Sequence, residues 1–272
     1  MSPPRPLPRL LEVVSNKIRT PRMRRITLGG PALAGFPEGC EGAHIKLLFP
    51  NRRDEVPNLP ELTADGPRWR NGAPRPQVRT YSVAGFYART QTLDVDLVVH
   101  AHGGCASAWA REARAGDALG LIGPGGPPLF QAHAARYLLI GDPSSYALVH
   151  AVMARLPADA AGDVLMEVPD AREIQALPAR ERMRVQWLND APGALLRALQ
   201  ALPWPPGEVS VTLAGESRVV VALRNFLVAQ RGVSRTAMYA VPYWKRDLDE
   251  DAYHDERHRL MDAFEASDEA TA

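Results

Sequence analysis

With 272 residues, 46% of them hydrophobic and 23% charged, the chain is globular in composition and long enough for two units that each bury a core. A net charge of +1 offers no field for nucleic acid, and apolar runs such as YLLI at 137–140 and VVVAL at 219–223 are too short to cross a bilayer. Two cysteines, Cys40 and Cys105, without CxxC or zinc-type spacing give neither a disulfide framework nor a structural metal to expect.

The opening MSPPRPLPRLLEVV lacks the apolar stretch of a secretory signal, so the expected location is the cytoplasm. Nothing in the chain demands more than a monomer. Charge is placed unevenly: residues 5–25 hold seven Arg or Lys and one Glu, whereas 247–256 hold six Asp or Glu and no Arg or Lys.

The first half reads as short strands punctuated by Gly and Pro: LLEVVSNKI, RMRRITLGG, HIKLLFP, VRTYSVAGF, TLDVDLVVHA and ALGLIGP. TLDVDLV alternates Leu93, Val95 and Leu97 with Thr92, Asp94 and Asp96, as a half-buried strand should. Six such segments fit a small antiparallel barrel, with the polar, proline-rich 51–77 stretch a long excursion between two of its strands.

Beyond it the pattern changes. RYLLIGD, DVLMEVP, MRVQWLN, EVSVTLAGE and RTAMYAVPYW read as strands, and SSYALVHAVMARLP, PGALLRALQALP and SRVVVALRNFLVAQRG as helices. This grammar predicts a parallel sheet covered on both faces, with ligands at the carboxyl ends of its strands: Gly141-Asp142, Val168 to Asp170 and Gly215-Glu216. Tyr253, Leu260, Met261 and Phe264 stand at helical spacing, so a terminal helix over 249–266 packs back on the body. The expected division is a β-barrel domain over 1–132 and an α/β domain with a C-terminal helix over 133–272.

Two stretches carry chemistry. In RTYS, Arg79 and Tyr81 share one strand face and Thr80 and Ser82 the other. A cation beside a planar ring suits a ligand with an aromatic system and phosphates, although four residues of this kind also suit a packed strand. In HAHGGCASAWAREARAGD a strand ends at His100, Gly103-Gly104 permits a turn, and CASAWAREA opens a helix. The first N–H groups of that helix and the Ser107 hydroxyl would face outward as an anion site, or the helix would be a plain connection with Trp109 in the core.

The order of these pieces resembles the siderophore-interacting proteins, FAD-dependent ferric-siderophore reductases related to ferredoxin–NADP reductase. TPRMRRITLGGPALAGFP, HIKLLFP, RTYSV with LDVDLVVH, SAWAREARAGD, LLIGD, LMEVPD, LAGES and YWKRDLDEDAYH carry the likeness. It implies a six-stranded antiparallel FAD-binding β-barrel followed by a parallel α/β NAD(P)-binding-like domain, with Fe(III) in a siderophore reduced to Fe(II) at the domain junction.

Arg79, Tyr81 and Ser82 would then hold FAD, with Tyr81 against the isoalloxazine and Ser82 near its ring nitrogens. His100 and the Ala106 to Trp109 turn would surround the ribityl-pyrophosphate, with Ser107 the phosphate ligand. Asp142 and Ser144 would stand in the turn facing the nicotinamide, and Lys46, Lys245 and Arg246 would receive the anionic siderophore.

The chemistry implied needs no protein acid or base, because the cofactor carries the electrons. The donor would be NADH, NADPH or a ferredoxin-like protein. Asp170, after the second strand of the C-terminal domain, would repel a 2′-phosphate and so slightly favour NADH, unless a loop arginine such as Arg172 reverses this. The chain departs from the family pattern at Ala84, where a second arginine is common, and in GDPSSYALV, where GDETALPA is usual. Two further functions stay open: a flavin reductase with another acceptor, or a non-catalytic siderophore-binding homologue.

Overall fold

The alternating first half of the chain forms β1 (Arg9–Thr20), β2 (Met23–Gly29), β3 (His44–Phe49), a short ribbon of β4 (Glu61–Thr63) and β5 (Gly66–Arg68), then β6 (Gln77–Tyr87), β7 (Thr92–Val98), the helix α1 (Cys105–Glu112) and β8 (Ala118–Gly125). The structure, a computed structural model, describes residues 7–63, 66–69, 72, 74–100, 104–204, 206–246, 248 and 250–269. Six strands close into an antiparallel barrel in the order β1-β2-β7-β6-β3-β8, the six segments expected.

Leu93, Val95 and Leu97 of β7 point into the barrel core, with Ile45, Leu47 and Phe49 of β3. The opposite face of β7 is buried as well. Arg25 donates to both carboxylate oxygens of Asp96, at 2.8 and 2.7 Å, and Thr27 Oγ1 donates to Asp94 at 2.7 Å. The hydrogen bond to Asp96 raises the Arg25 pKa above its ordinary value, so the guanidinium stays charged. The 51–77 excursion carries the β4–β5 ribbon and leans on the barrel: a Cβ at Gly120 would lie 2.7 Å from Leu59 Cδ2 and 2.8 Å from Leu48 Cβ.

The second half forms β9 (Arg136–Gly141), α2 (Tyr146–Arg155), β10 (Ala161–Val168), β11 (Arg182–Asn189), α3 (Ala194–Ala201), β12 (Val209–Glu216), α4 (Ser217–Arg231), β13 (Met238–Trp244) and α5 (Glu250–Glu269). Its five strands run parallel in the order β11-β10-β9-β12-β13. The central β9 buries both faces: Tyr137 and Leu139 pack with α2 residues Leu148, Val149, Val152 and Met153, and Leu138 and Ile140 with Leu195 and Leu199 of α3 and Val220, Leu223 and Leu227 of α4.

The compact units divide between Gly126 and Pro127. Residues 127–132, read with the barrel from the sequence, are tied to the second unit by polar residues of the fully buried β12. Thr212 Oγ1 donates to the Leu129 carbonyl at 2.7 Å, and the Gln131 N–H donates to Ser210 Oγ at 2.9 Å. No helix among the described residues is long and apolar enough to cross a membrane.

Candidate functional site

On β6, the unbroken register against β3 sets Arg79 opposite Leu47, Thr80 opposite Lys46, Tyr81 opposite Ile45 and Ser82 opposite His44. Arg79 and Tyr81 therefore share a face with Val83, and both are half-buried. Tyr81 packs partly on the barrel core, with its ring 6.5 Å from that of Phe49, which also meets the Trp109 ring edge-on at 5.4 Å. A fixed ring beside a guanidinium is what a planar ligand bearing phosphates needs.

Ser82 is enclosed on the opposite face, and Lys46 stands exposed on that same opposite face. The structure therefore brings together Arg79 and Tyr81, but neither Ser82 nor Lys46 shares their surface. The pleat of a strand separates neighbours however close they stand in sequence.

The anion site expected at α1 needs correction. The Ser107 hydroxyl does not face outward: the residue is 3% exposed, and its Oγ accepts from the His100 N–H at 3.1 Å and donates to the Val98 carbonyl at 3.4 Å. Ala106, Trp109 and Ala110 are buried beside it, because helical periodicity turns this stripe onto the barrel. Ser107 thus splices α1 to the end of β7, and Arg111 grips the His100 carbonyl.

What α1 does offer is its start. Gly104, at φ 96°, leaves the N-terminus without a side-chain cap, so the first-turn N–H groups suit a phosphate. Residues 101–103, including Gly103, lie outside the described residues. The Tyr81 ring, the Arg79 guanidinium and this uncapped helix start are the groups that could hold a ligand with an aromatic system and phosphates.

At the carboxyl edge of the second sheet the expected ligand groups are consumed by the protein. Asp142 is 7% exposed, and its carboxylate accepts from Ser144 N at 2.8 Å, Ser144 Oγ at 2.5 Å, Glu216 N at 2.9 Å and Trp244 Nε1 at 2.8 Å. It ties the ends of β9, β12 and β13 together rather than facing a nicotinamide, and Ser144 is committed to it. The reason lies in the strand ends, whose orphaned N–H groups need an acceptor. Gly215 makes room: a Cβ there would lie 2.6 Å from Asp142 Oδ2, at a φ of 149°. Burial pushes the Asp142 pKa up against these hydrogen bonds.

Glu216 repeats the pattern. Its Oε2 caps α4 by accepting from Arg218 N at 2.7 Å and Val219 N at 3.1 Å, while Oε1 accepts from Arg246 N at 3.2 Å. Glu167 shares a small pocket with both acids, and its pKa is pushed up to about 7 by burial first and by Asp190 and Asp142 second.

Of the expected siderophore cations, Lys245 is engaged within the unit: Nζ bonds both carboxylate oxygens of Glu256 on α5, at 2.5 and 2.7 Å. Arg246 has a 60% exposed side chain that reaches Asp190 only at 3.9 Å. Asp170 is held bidentate by Arg172 Nε and Nη2, at 3.0 and 2.9 Å, which removes the argument that it repels a 2′-phosphate. Asp247, which follows Arg246, lies outside the described residues.

Sequence reasoning placed Glu216 at a ligand-facing strand end without seeing its capping role, and it missed Glu256. Glu216 had a signal, an acid directly before an apolar helical run, which is the mark of an N-cap. Glu256 had none, being one acid among six at 247–256.

The comparisons with known proteins agree along the chain. Residues 12–128 match the siderophore-interacting FAD-binding domain, and residues 134–247 match the siderophore-interacting protein domain. The chain is 39% identical over 261 residues to the ferric vibriobactin reductase ViuB of Vibrio cholerae, covering 94% of this chain and 96% of that one. It is 30% identical over 226 residues to the NADPH-dependent ferric-chelate reductase of Escherichia coli, covering 81% and 86%. Among solved structures it is similar to the siderophore-interacting protein SipS from Aeromonas hydrophila, at 33% identity and a TM-score of 0.81, covering 95% of this chain and 100% of that one. A ferredoxin reductase of carbazole 1,9a-dioxygenase, at 19% identity and a TM-score of 0.63 over 87% of this chain and 68% of that one, shares the fold.

Proposed function

This chain belongs to the siderophore-interacting protein family, and from that premise we propose that it is an FAD-dependent oxidoreductase that reduces iron(III) held by a siderophore, with NAD(P)H as the electron source. The observation that carries this is the barrel strand β6, which presents Arg79 and Tyr81 together within the stretch matched to the FAD-binding domain. FAD supplies, when bound, the exchange between a two-electron donor and a one-electron acceptor.

The protein's part is position and field. Tyr81 would lie against the flavin ring, Arg79 would hold a phosphate, and the first N–H groups of α1 would hold another. His100 serves through its backbone, which fixes how β7 hands over to α1. Lys46 and Arg246, both exposed, would attract an anionic ferric complex, as would Lys245 when Glu256 yields it, an attraction that weakens with salt.

The barrel unit is the flavin unit in this reading, and the second unit serves the nicotinamide. Because Arg172 neutralises Asp170, no charge there discriminates against NADPH. In this reading the protein works as a monomer in the cytoplasm, where Cys40 and Cys105 stay as thiols. Purified protein should be yellow with absorbance at about 450 nm, bleach with NAD(P)H and regain colour with a ferric siderophore, the behaviour of a flavin carrying electrons between the two. A colourless chain that takes up no added FAD sinks the proposal.

A further inference from the structure

The segment after β13 is pinned on both sides of one lysine. Trp244 donates its indole N–H to Asp142, and the Arg246 N–H donates to Glu216, so the chain on either side of Lys245 is held independently of the Lys245 side chain. That side chain lies against α5. Lys245 is 18% exposed and Glu256 35%, so solvent and solutes reach the carboxylate of the pair more easily than the ammonium.

The helix does not depend on this pair for its seat. Tyr253, 1% exposed, anchors α5 on one side of Glu256, and on the other the Arg224 guanidinium covers the Phe264 ring at 4.0 Å. Glu256 therefore stands between two anchors and can release Lys245 without the helix leaving.

We infer that Glu256 is a specificity-determining residue, whose carboxylate competes with an anionic ferric complex for the Lys245 ammonium. The inference rests on the reductase reading and names a control on that same substrate site. A cation open only part of the time lowers apparent affinity by the fraction open, and removing the competitor removes that loss.

The competition has a chemical signature. Three dianionic catecholates around Fe(III) leave a net negative complex that wins Lys245 by charge. Three monoanionic hydroxamates leave a neutral complex that gains nothing from it. Glu256 thus penalises the charged class alone.

The test is equilibrium titration of the full FAD-loaded chain, without electron donor, followed by tryptophan fluorescence. A ferric tris-catecholate is compared with a ferric tris-hydroxamate. Glu256→Gln should tighten the catecholate Kd by about three- to tenfold, the scale of a partly shielded ion pair, and leave the hydroxamate Kd unchanged. In a Lys245→Met background the same substitution should change neither.

Glu256→Ala supplies the same comparison if the Gln variant folds poorly. An unchanged catecholate Kd, equal tightening for both complexes, or a gain that persists without Lys245 overturns the inference. Wild-type protein that binds neither complex overturns the reductase reading with it, whereas tight wild-type binding indifferent to Glu256 overturns the inference alone.

Discussion

On the barrel, Arg79 and Tyr81 stay half-buried on a shared face of β6, whereas at the carboxyl edge of the second sheet Asp142, Glu216 and Lys245 are each spent on partners within the unit. The difference follows from where the residues sit. A strand in a closed barrel has its backbone bonds satisfied by its neighbours, so its side chains are not drawn in to cap them. Strand ends and helix starts expose N–H groups without partners, and the nearest acids are drawn in to accept them. An acid at the carboxyl end of a parallel strand is therefore as ready to be a keystone as a ligand.

Breaking the keystone should give the largest effect. Asp142→Ala leaves the Glu216 N–H and the Trp244 indole N–H without their acceptor in a buried setting, and should cost about 2–4 kcal/mol of unfolding free energy in urea titration. FAD bound per chain should not change, because the barrel keeps its own face. A variant that loses FAD while keeping its stability would place Asp142 at the cofactor and undo the contrast.

Arg79→Ala probes the other side of the comparison. It should weaken FAD binding by about tenfold or more, read by titrating FAD into stripped protein, because a charge-assisted bidentate contact is lost. The urea midpoint of the second unit should stay put. Unaltered FAD affinity would show that β6 carries Arg79 for packing alone.

The smallest effect concerns Glu167, whose pKa of about 7 lies above the ordinary 4.5. Between those values the native chain holds a proton that the unfolded chain releases, so this residue's stabilising contribution is fully present below the ordinary value and is lost as pH rises toward about 7. Because the group is only half-buried, the swing is discounted to about 1 kcal/mol. Glu167→Gln should remove it, seen as urea midpoints of variant and parent that diverge between pH 5 and pH 8. Parallel midpoints across that range would mean that Glu167 titrates as an ordinary carboxylate.

Particular residues show why some of the molecule was legible. Leu93, Val95 and Leu97 announced β7 through a period that any strand imposes, and the apolar strands of the second half announced a sheet covered on both faces, because burial acts residue by residue. Arg79 and Tyr81 could be assigned to one face from their spacing alone. Ser107 was misread because a hydroxyl near a helix start says nothing of which way the helix turns. The apolar stripe of Ala106, Trp109 and Ala110 settled that by packing on the barrel.

The sequence by itself determined the order and type of the elements, the change from barrel to parallel sheet, the family, and the strand face that Arg79 and Tyr81 share. These depend on local periodicity and on motifs read in order. Tertiary structure alone decided what the charges do. Asp142 meets Glu216 across 74 residues and Trp244 across 102, and no spacing rule connects positions so far apart. Whether a carboxylate serves a ligand or its own chain depends on which N–H groups and cations the fold brings within about 3 Å of it, the reach of a hydrogen bond.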